Sequence, residues 1–152
     1  YYIQFFDILS KMAYKISYEK VEGSDRQVSI LFSLLKARKF FISHSKLPDL
    51  IRHKKFVKNH PYRAWFLIIK NKEEIGSFYI KFDNSIGLNF IEQSLENVES
   101  TLEYIRNNYM PLCEKNSLVP PYFYINISSK NYELKDILKR MNFTEIQLSY
   151  KI

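Results

Sequence analysis

Hydrophobic and polar positions along this chain change period several times, and each change marks an element. Between Tyr62 and Phe90, three β-rich runs (Tyr-Arg-Ala-Trp-Phe-Leu-Ile-Ile-Lys, Glu-Ile-Gly-Ser-Phe-Tyr-Ile-Lys-Phe and Ile-Gly-Leu-Asn-Phe) are cut by two short polar clusters, Asn71-Lys72-Glu73 and Asp83-Asn84-Ser85. Connections that short leave no room for a crossover, so the runs predict an antiparallel meander at the centre of a sheet. Upstream, Tyr14 to Val21 alternates apolar and polar residues, as a half-buried first strand should. Val28, Leu31, Leu34 and Leu35 then recur at helical spacing behind the turn and capping residues Glu22-Gly23-Ser24-Asp25, predicting a helix to about Arg38. A second helix is predicted from Pro48, in the first turn where its missing N–H costs nothing, to Asn59, with Pro61 forcing the stop. Downstream, Leu95, Val98, Leu102, Ile105 and Tyr109 line one face of a third helix. Tyr122 to Ser128 alternates as a strand, Asn131 to Met141 reads as a short helix, and Thr144 to Ile152 as a closing strand. The order is strand, two helices, three strands, helix, strand, helix, strand.

At 152 residues the pattern makes one domain with a core of its own. Residues 12–152 form that domain, and residues 1–11 are set apart as an upstream extension or cloning remnant. Their apolar run is too short to span a bilayer and lacks the basic lead of a signal peptide. Twelve Tyr and twelve Phe favour strands and a core of large rings. The single Cys113 excludes an internal disulfide and fits a reducing compartment, so the expected location is the cytoplasm, with no membrane association. The net charge of +7 would suit an anionic partner, but the lysines are scattered, as on a solvated surface.

Candidate chemistry is sparse. His44, His53 and His60 are the only histidines; His53 and His60 fall two turns apart on the second helix, where a metal site needs one turn and a carboxylate. Surface histidines and no metal are the expectation; in the architecture that the resemblance described next implies, the second helix would border the acceptor side and make His44 or His60 a substrate contact. Arg52, His53, Lys54, Lys55 and Lys58 form a basic cluster, but nucleic-acid binding wants aromatics on the same exposed face, and Phe56 and Val57 read as inward-pointing. Gly23, Gly76 and Gly87 are isolated and cradle no phosphate, and Cys113 has no histidine near it in sequence.

Two pieces carry a resemblance. One is the hairpin Trp-Phe-Leu-Ile-Ile-Lys-Asn-Lys-Glu-Glu-Ile-Gly-Ser-Phe-Tyr-Ile with Gly76; the other is Asn-Tyr-Glu-Leu-Lys-Asp-Ile-Leu-Lys-Arg-Met-Asn-Phe, with Asn131, Ile137 and Phe143 in register. In this element order, from Tyr14 to Ile152, the chain resembles the GNAT-type N-acyltransferase family. The resemblance implies an α+β fold: a mixed, mostly antiparallel sheet with helices on both faces. It also implies that the strand at Ile86 to Phe90 and the strand at Tyr122 to Ser128 start parallel and splay apart. The gap would take acetyl-CoA or another acyl-CoA, along Leu88, Asn89, Phe90 and Gln93 on one side and Asn126, Ser128 and Asn131 on the other. A primary amine, of an amino sugar or other small metabolite, would approach from across the sheet. His60-Pro61-Tyr62-Arg63-x-Trp65 resembles a pattern of GNAT-like proteins encoded beside sugar-modifying enzymes.

The sequence departs from the family where chemistry is expected. The family's small-residue phosphate turn, Gln/Arg-x-x-Gly-x-Gly/Ala, reads Gln93-Ser94-Leu95-Glu96-Asn97-Val98 here, and Glu92, Glu96 and Glu99 would repel a diphosphate at a helix N-terminus. The family's acid tyrosine falls on Leu138, and Asn142 takes a glycine place that its tolerance of left-handed geometry allows. Tyr124 or Tyr150 would serve as substitute acid, with Glu92 and Asp83 the carboxylates nearest the strand. Three function classes follow: an N-acetyltransferase, a catalytically deficient ligand- or partner-binding protein of the same fold, and, less favoured, a basic nucleic-acid-binding module. A homodimer would protect the unpaired terminal strand.

Overall fold

The computed structural model describes residues 16–41, 46–150 and 152. The extension at residues 1–11, the start of the first strand at Tyr14, and His44 lie outside the described residues. The elements are β1 (Ile16–Lys20), α1 (Asp25–Ala37), α2 (Leu50–Lys58), β2 (Ala64–Lys70), β3 (Glu73–Ile80), β4 (Ser85–Phe90), α3 (Leu95–Asn108), β5 (Tyr124–Ile125) and α4 (Tyr132–Arg140). They form a mixed α+β fold around one five-stranded sheet in the order β1-β2-β3-β4-β5. The first three pairings are antiparallel and the last is parallel.

Local chemistry explains most of the boundaries. Asn71 and Lys72 both sit at positive φ, 53° and 69°, the mirror-image turn whose twist matches a tight β2–β3 hairpin. Ser24 opens α1 in a capping box with Gln27, whose side chain also donates to the Lys20 carbonyl (2.8 Å) and so ties the helix to the end of β1. Asn131 caps α4 through the Leu134 N–H (3.1 Å). Asn142 ends that helix at φ 61°, the left-handed geometry expected for it, with Phe143 N–H returning to Leu138 O (3.0 Å).

Alternation along the strands sends side chains to two different layers. Ala64, Phe66, Ile68, Phe78, Ile80 and Ile86 face α3 and α4, packing on Val98, Leu102, Ile105, Leu134 and Ile137. Trp65 and Leu67 face the other way, against Val28, Leu31 and Leu34 of α1 and Val57 of α2. Each of these large apolar side chains contributes roughly 1.5–3 kcal/mol by leaving water.

Four expectations change. Pro48 lies outside the second helix, since Asp49 is its N-cap, accepting from Arg52 N–H (2.8 Å). His53 is no surface histidine: it is 5% exposed, with Nε2 bonded to the Val28 carbonyl (3.1 Å) and its ring on Phe32. His60 falls beyond α2 rather than on it. Residues 144–150 form no strand and pair with none among the described residues, leaving Ile146, Leu148 and Tyr150 exposed.

Candidate functional site

The strand expected over Tyr122 to Ser128 is reduced to Tyr124–Ile125 because its partner moves away. β4 and β5 run parallel but register at only two positions, Ser85 with Tyr124 and Ile86 with Ile125. The last main-chain bond between them is Asn126 N–H to Ile86 O (3.2 Å). Beyond it, the Leu88 and Phe90 main-chain groups on that edge meet no strand partner among the described residues, while β3 still pairs with β4 as far as Phe90. An interior strand with half of one edge unpaired is a slot for an extended group carrying amide donors and acceptors.

Side chains along β4 alternate across the sheet. Leu88 and Phe90 pack into the layer under α3 and α4. Ser85, Gly87 and Asn89 form a polar row on the opposite face, with Tyr79 over Gly87 and Arg38, from the end of α1, at Asn89. At its start, Asp83 accepts from the Ser85 hydroxyl (2.6 Å) and the Ser85 N–H (2.9 Å). Burial pushes the Asp83 carboxyl up, but these hydrogen bonds outweigh it and hold the group below its ordinary value. The Tyr124 hydroxyl lies beside both groups, raised by burial and by the Asp83 charge, so it is neutral at pH 7.

In the middle of the row Gly87 is covered by Tyr79. A Cβ on Gly87 would fall within the phenol end of that ring. Tyr79 stacks on Tyr62 at 4.1 Å and 6°, and Tyr62 meets Trp65 and His60. Burial pushes the Tyr62 hydroxyl up to about 12 and raises Tyr79, with Arg38 pulling both down. At the far end Arg38 Nε donates to Asn89 Oδ1 (3.4 Å).

The N-terminus of α3 closes on itself. Ser94 Oγ accepts from Asn97 N–H (3.2 Å), and Asn97 Nδ2 donates to Glu92 O (3.5 Å). Lys70 donates to Glu96 (2.8 Å) and to Asn97 Oδ1 (3.2 Å). Glu92 is exposed, and Gln93 Oε1 is buried with no donor among the described residues. Donors and charge that a diphosphate would need are therefore already engaged.

Of the residues expected to bind or react, the fold brings Leu88, Asn89, Phe90 and Gln93 to the open half of β4. Asn126 is exposed at the point of divergence. Ser128 and Asn131 shape the turn into α4: Asn131 N–H donates to Ser128 O (2.9 Å), and Ser128 Oγ accepts from Lys130 N–H (3.4 Å). Tyr124 stands at the opposite end of β4 from Asn89, four residues or about 13 Å away. Tyr150 is 85% exposed on the unpaired tail, away from the row. The basic helix is divided: Lys54 and Lys58 reach Asp25 (2.9 and 3.8 Å), Arg52 reaches Asp49 (3.3 Å), and His53 is buried.

Sequence reasoning did not find Arg38, Tyr79 or Gly87 as site residues. A glycine inside a strand, opposite a tyrosine in hairpin register, is the one signal that could have pointed there. It also missed Asn84, which is fully buried and bonds Leu112 N–H and O and Pro120 O, pinning the loop beyond α3 beside β5.

No family model matches the chain, and no curated protein matches it. Among solved structures it shares its fold with a domain from Methanocaldococcus jannaschii DSM 2661 (13% identity, TM-score 0.62, covering 90% of this chain and 92% of that one). It also shares it with a possible acetyltransferase from Clostridium difficile 630 (12% identity, TM-score 0.55, covering 92% and 96%). At such identities the likeness extends to the fold alone.

Proposed function

We propose that this protein is a GNAT-type N-acyltransferase that moves an acyl group from acetyl-CoA, or another acyl-CoA, to a primary amine. The observation that carries the reading is the early divergence of β5 from β4, with the Leu88 and Phe90 main-chain edge left open. The likeness to a possible acetyltransferase supports it. The open edge fits the amides of a pantetheine arm, and the bound thioester would supply the activated acyl carbon. Asn89 and the tyrosine pair lie across the sheet from that arm's layer, where an amine would approach. Tyr124, neutral and next to Asp83, is the hydroxyl that fits proton donation; Glu92 is the carboxylate at the open end of β4. Calorimetry with acetyl-CoA tests the reading: saturable binding is expected, and none at millimolar cofactor with a folded sample would refute it.

A second reading is favoured by the self-capped α3. A cleft that takes a pantetheine-like or peptide-like strand, but no diphosphate, describes a non-catalytic binding protein of the same architecture. Pantetheine binding as tightly as CoA, with no thiol release from acetyl-CoA over an amine panel, would select it. The exposed Ile146, Leu148 and Tyr150 favour the homodimer: two copies would bury them against each other. Light scattering checks that, with a monomer at all concentrations as the adverse result.

A further inference from the structure

Arg38 closes the polar row without an acidic partner among the described residues. It is half-buried at the end of α1, and its helix is closed by its own main-chain N–H to Leu35 O (3.3 Å), not by the side chain. No carboxylate pairs with the guanidinium among the described residues, and only its Nε is used, in a long bond to Asn89. The two terminal nitrogens have no protein acceptor there. Some cations, Arg26, Arg52, Lys54, Lys70 and Lys135 among them, reach acids; Arg38 instead turns to the amide of Asn89 on β4. Around Arg38 stand further donors. The Tyr62 and Tyr79 hydroxyls are held protonated by burial, and the Arg38 charge is close enough to act on both. Behind them Trp65, only 7% exposed and edge-on to Tyr62 at 5.2 Å, has an indole N–H with no acceptor among the described residues. A buried donor without a partner costs free energy that a bound acceptor recovers.

Guanidinium nitrogens without an acceptor among the described residues, two neutral phenols and an amide gather donors beside aromatic rings at one end of the row. The geometry points to a carboxylate on the acceptor: the amine acylated here carries an acid group that Arg38 holds in a forked pair, with its apolar body along Tyr62 and Tyr79. This rests on the acyltransfer reading and narrows its substrate to amines of the amino-acid type, against neutral amino sugars.

The test compares free L-amino acids with their carboxamides, and with glucosamine, by thermal shift and calorimetry on the whole chain. An acid is expected to bind about tenfold tighter than its amide, the worth of one charge-assisted pair. Arg38→Gln should remove the preference and Arg38→Lys should restore part of it. Amides or glucosamine binding as well as the acids, or a preference surviving in Arg38→Gln, would overturn the inference. Should Arg38→Gln fail to fold, the acid–amide comparison on the unaltered chain decides alone. Acetyl-CoA is titrated separately. Binding of acetyl-CoA without the acid preference removes this inference and leaves the acyltransfer reading; the reverse leaves an anion site and removes the acyltransfer reading.

Discussion

The face of the sheet under α3 and α4 and the face under α1 and α2 are made by alternate residues of the same strands, yet they differ in kind. The first carries Phe66, Ile68, Phe78, Ile80 and Ile86 and is closed by apolar helix residues. The second begins with Trp65 and Leu67 under α1 and α2, then turns polar along β4 with Ser85, Gly87 and Asn89 under Tyr79 and Arg38. The large apolar side chains are concentrated on one side, and the groups of the proposed acceptor site lie on the other. A sheet can separate the two because neighbouring residues of a strand never share a face.

The largest effect should come from the apolar face. Phe78 is fully buried, stacked on Phe66 at 5.1 Å and edge-on to Tyr18 at 5.8 Å. Phe78→Ala should cost about 3–5 kcal/mol, read as a lower denaturant midpoint at unchanged slope. A cost near 1 kcal/mol would mean that this face is not the stabilising one. On the polar face, Gly87→Ala pushes a methyl into the Tyr79 ring and should cost about 1–3 kcal/mol. The same change made in a Tyr79→Ala background should cost far less, because the obstructing ring is gone. Equal costs in the two backgrounds would show that Tyr79 does not cover β4.

How far this division could be read in advance depended on whether its cause was local. The apolar layer was legible: period-two and period-three-four patterns named Val98, Leu102, Ile105, Leu134 and Ile137, and Ser24 and Asn131 marked two of the helix starts. The parallel start and early parting of β4 and β5 came from resemblance alone, since divergence depends on residues far apart in sequence. His53 was misread because Arg52-His53-Lys54-Lys55 looks solvated, whereas burial of its ring is set by Val28 and Phe32 on another helix. Arg38 passed unremarked for the opposite reason. A basic residue at a helix end is ordinary, and only its place beside Asn89 in three dimensions makes it informative. The segment after Asn142 shows the same limit: alternation says which residues could share a face, but not what that face meets.

The third prediction concerns the slot between the faces. If the self-capped α3 offers no diphosphate seat, then Glu96→Gln, which removes a carboxylate from that helix end, should strengthen CoA binding a few-fold, an effect of about 0.5–1 kcal/mol. It should leave pantetheine binding unchanged. Weaker CoA binding in Glu96→Gln would mean that the Lys70–Glu96 pair supports the cofactor and that the slot ends differently.

The smallest effect is a pH dependence that only the α1–α2 side should show. Burial lowers the pKa of His53 below its ordinary value, and burial lowers His60 in the same sense. The unfolded chain therefore takes up protons near pH 6.5 while the folded chain still excludes them. A state that binds more protons gains as pH falls, so stability should decline from pH 7 toward 5.5, by at most about 1.4 kcal/mol per pH unit for each histidine. The Val28 carbonyl at 3.1 Å fixes the mechanism further: Nε2 must carry the proton of the neutral ring to make that bond. Holding the range above pH 5.5 keeps Glu19 and Asp83 out of the signal, since their lowered values place their losses in more acid solution. His53→Gln should flatten the slope to the part owed to His60. A slope unchanged in that variant would mean that the imidazole titrates freely, and that the α1–α2 layer is open to water where it packs on His53.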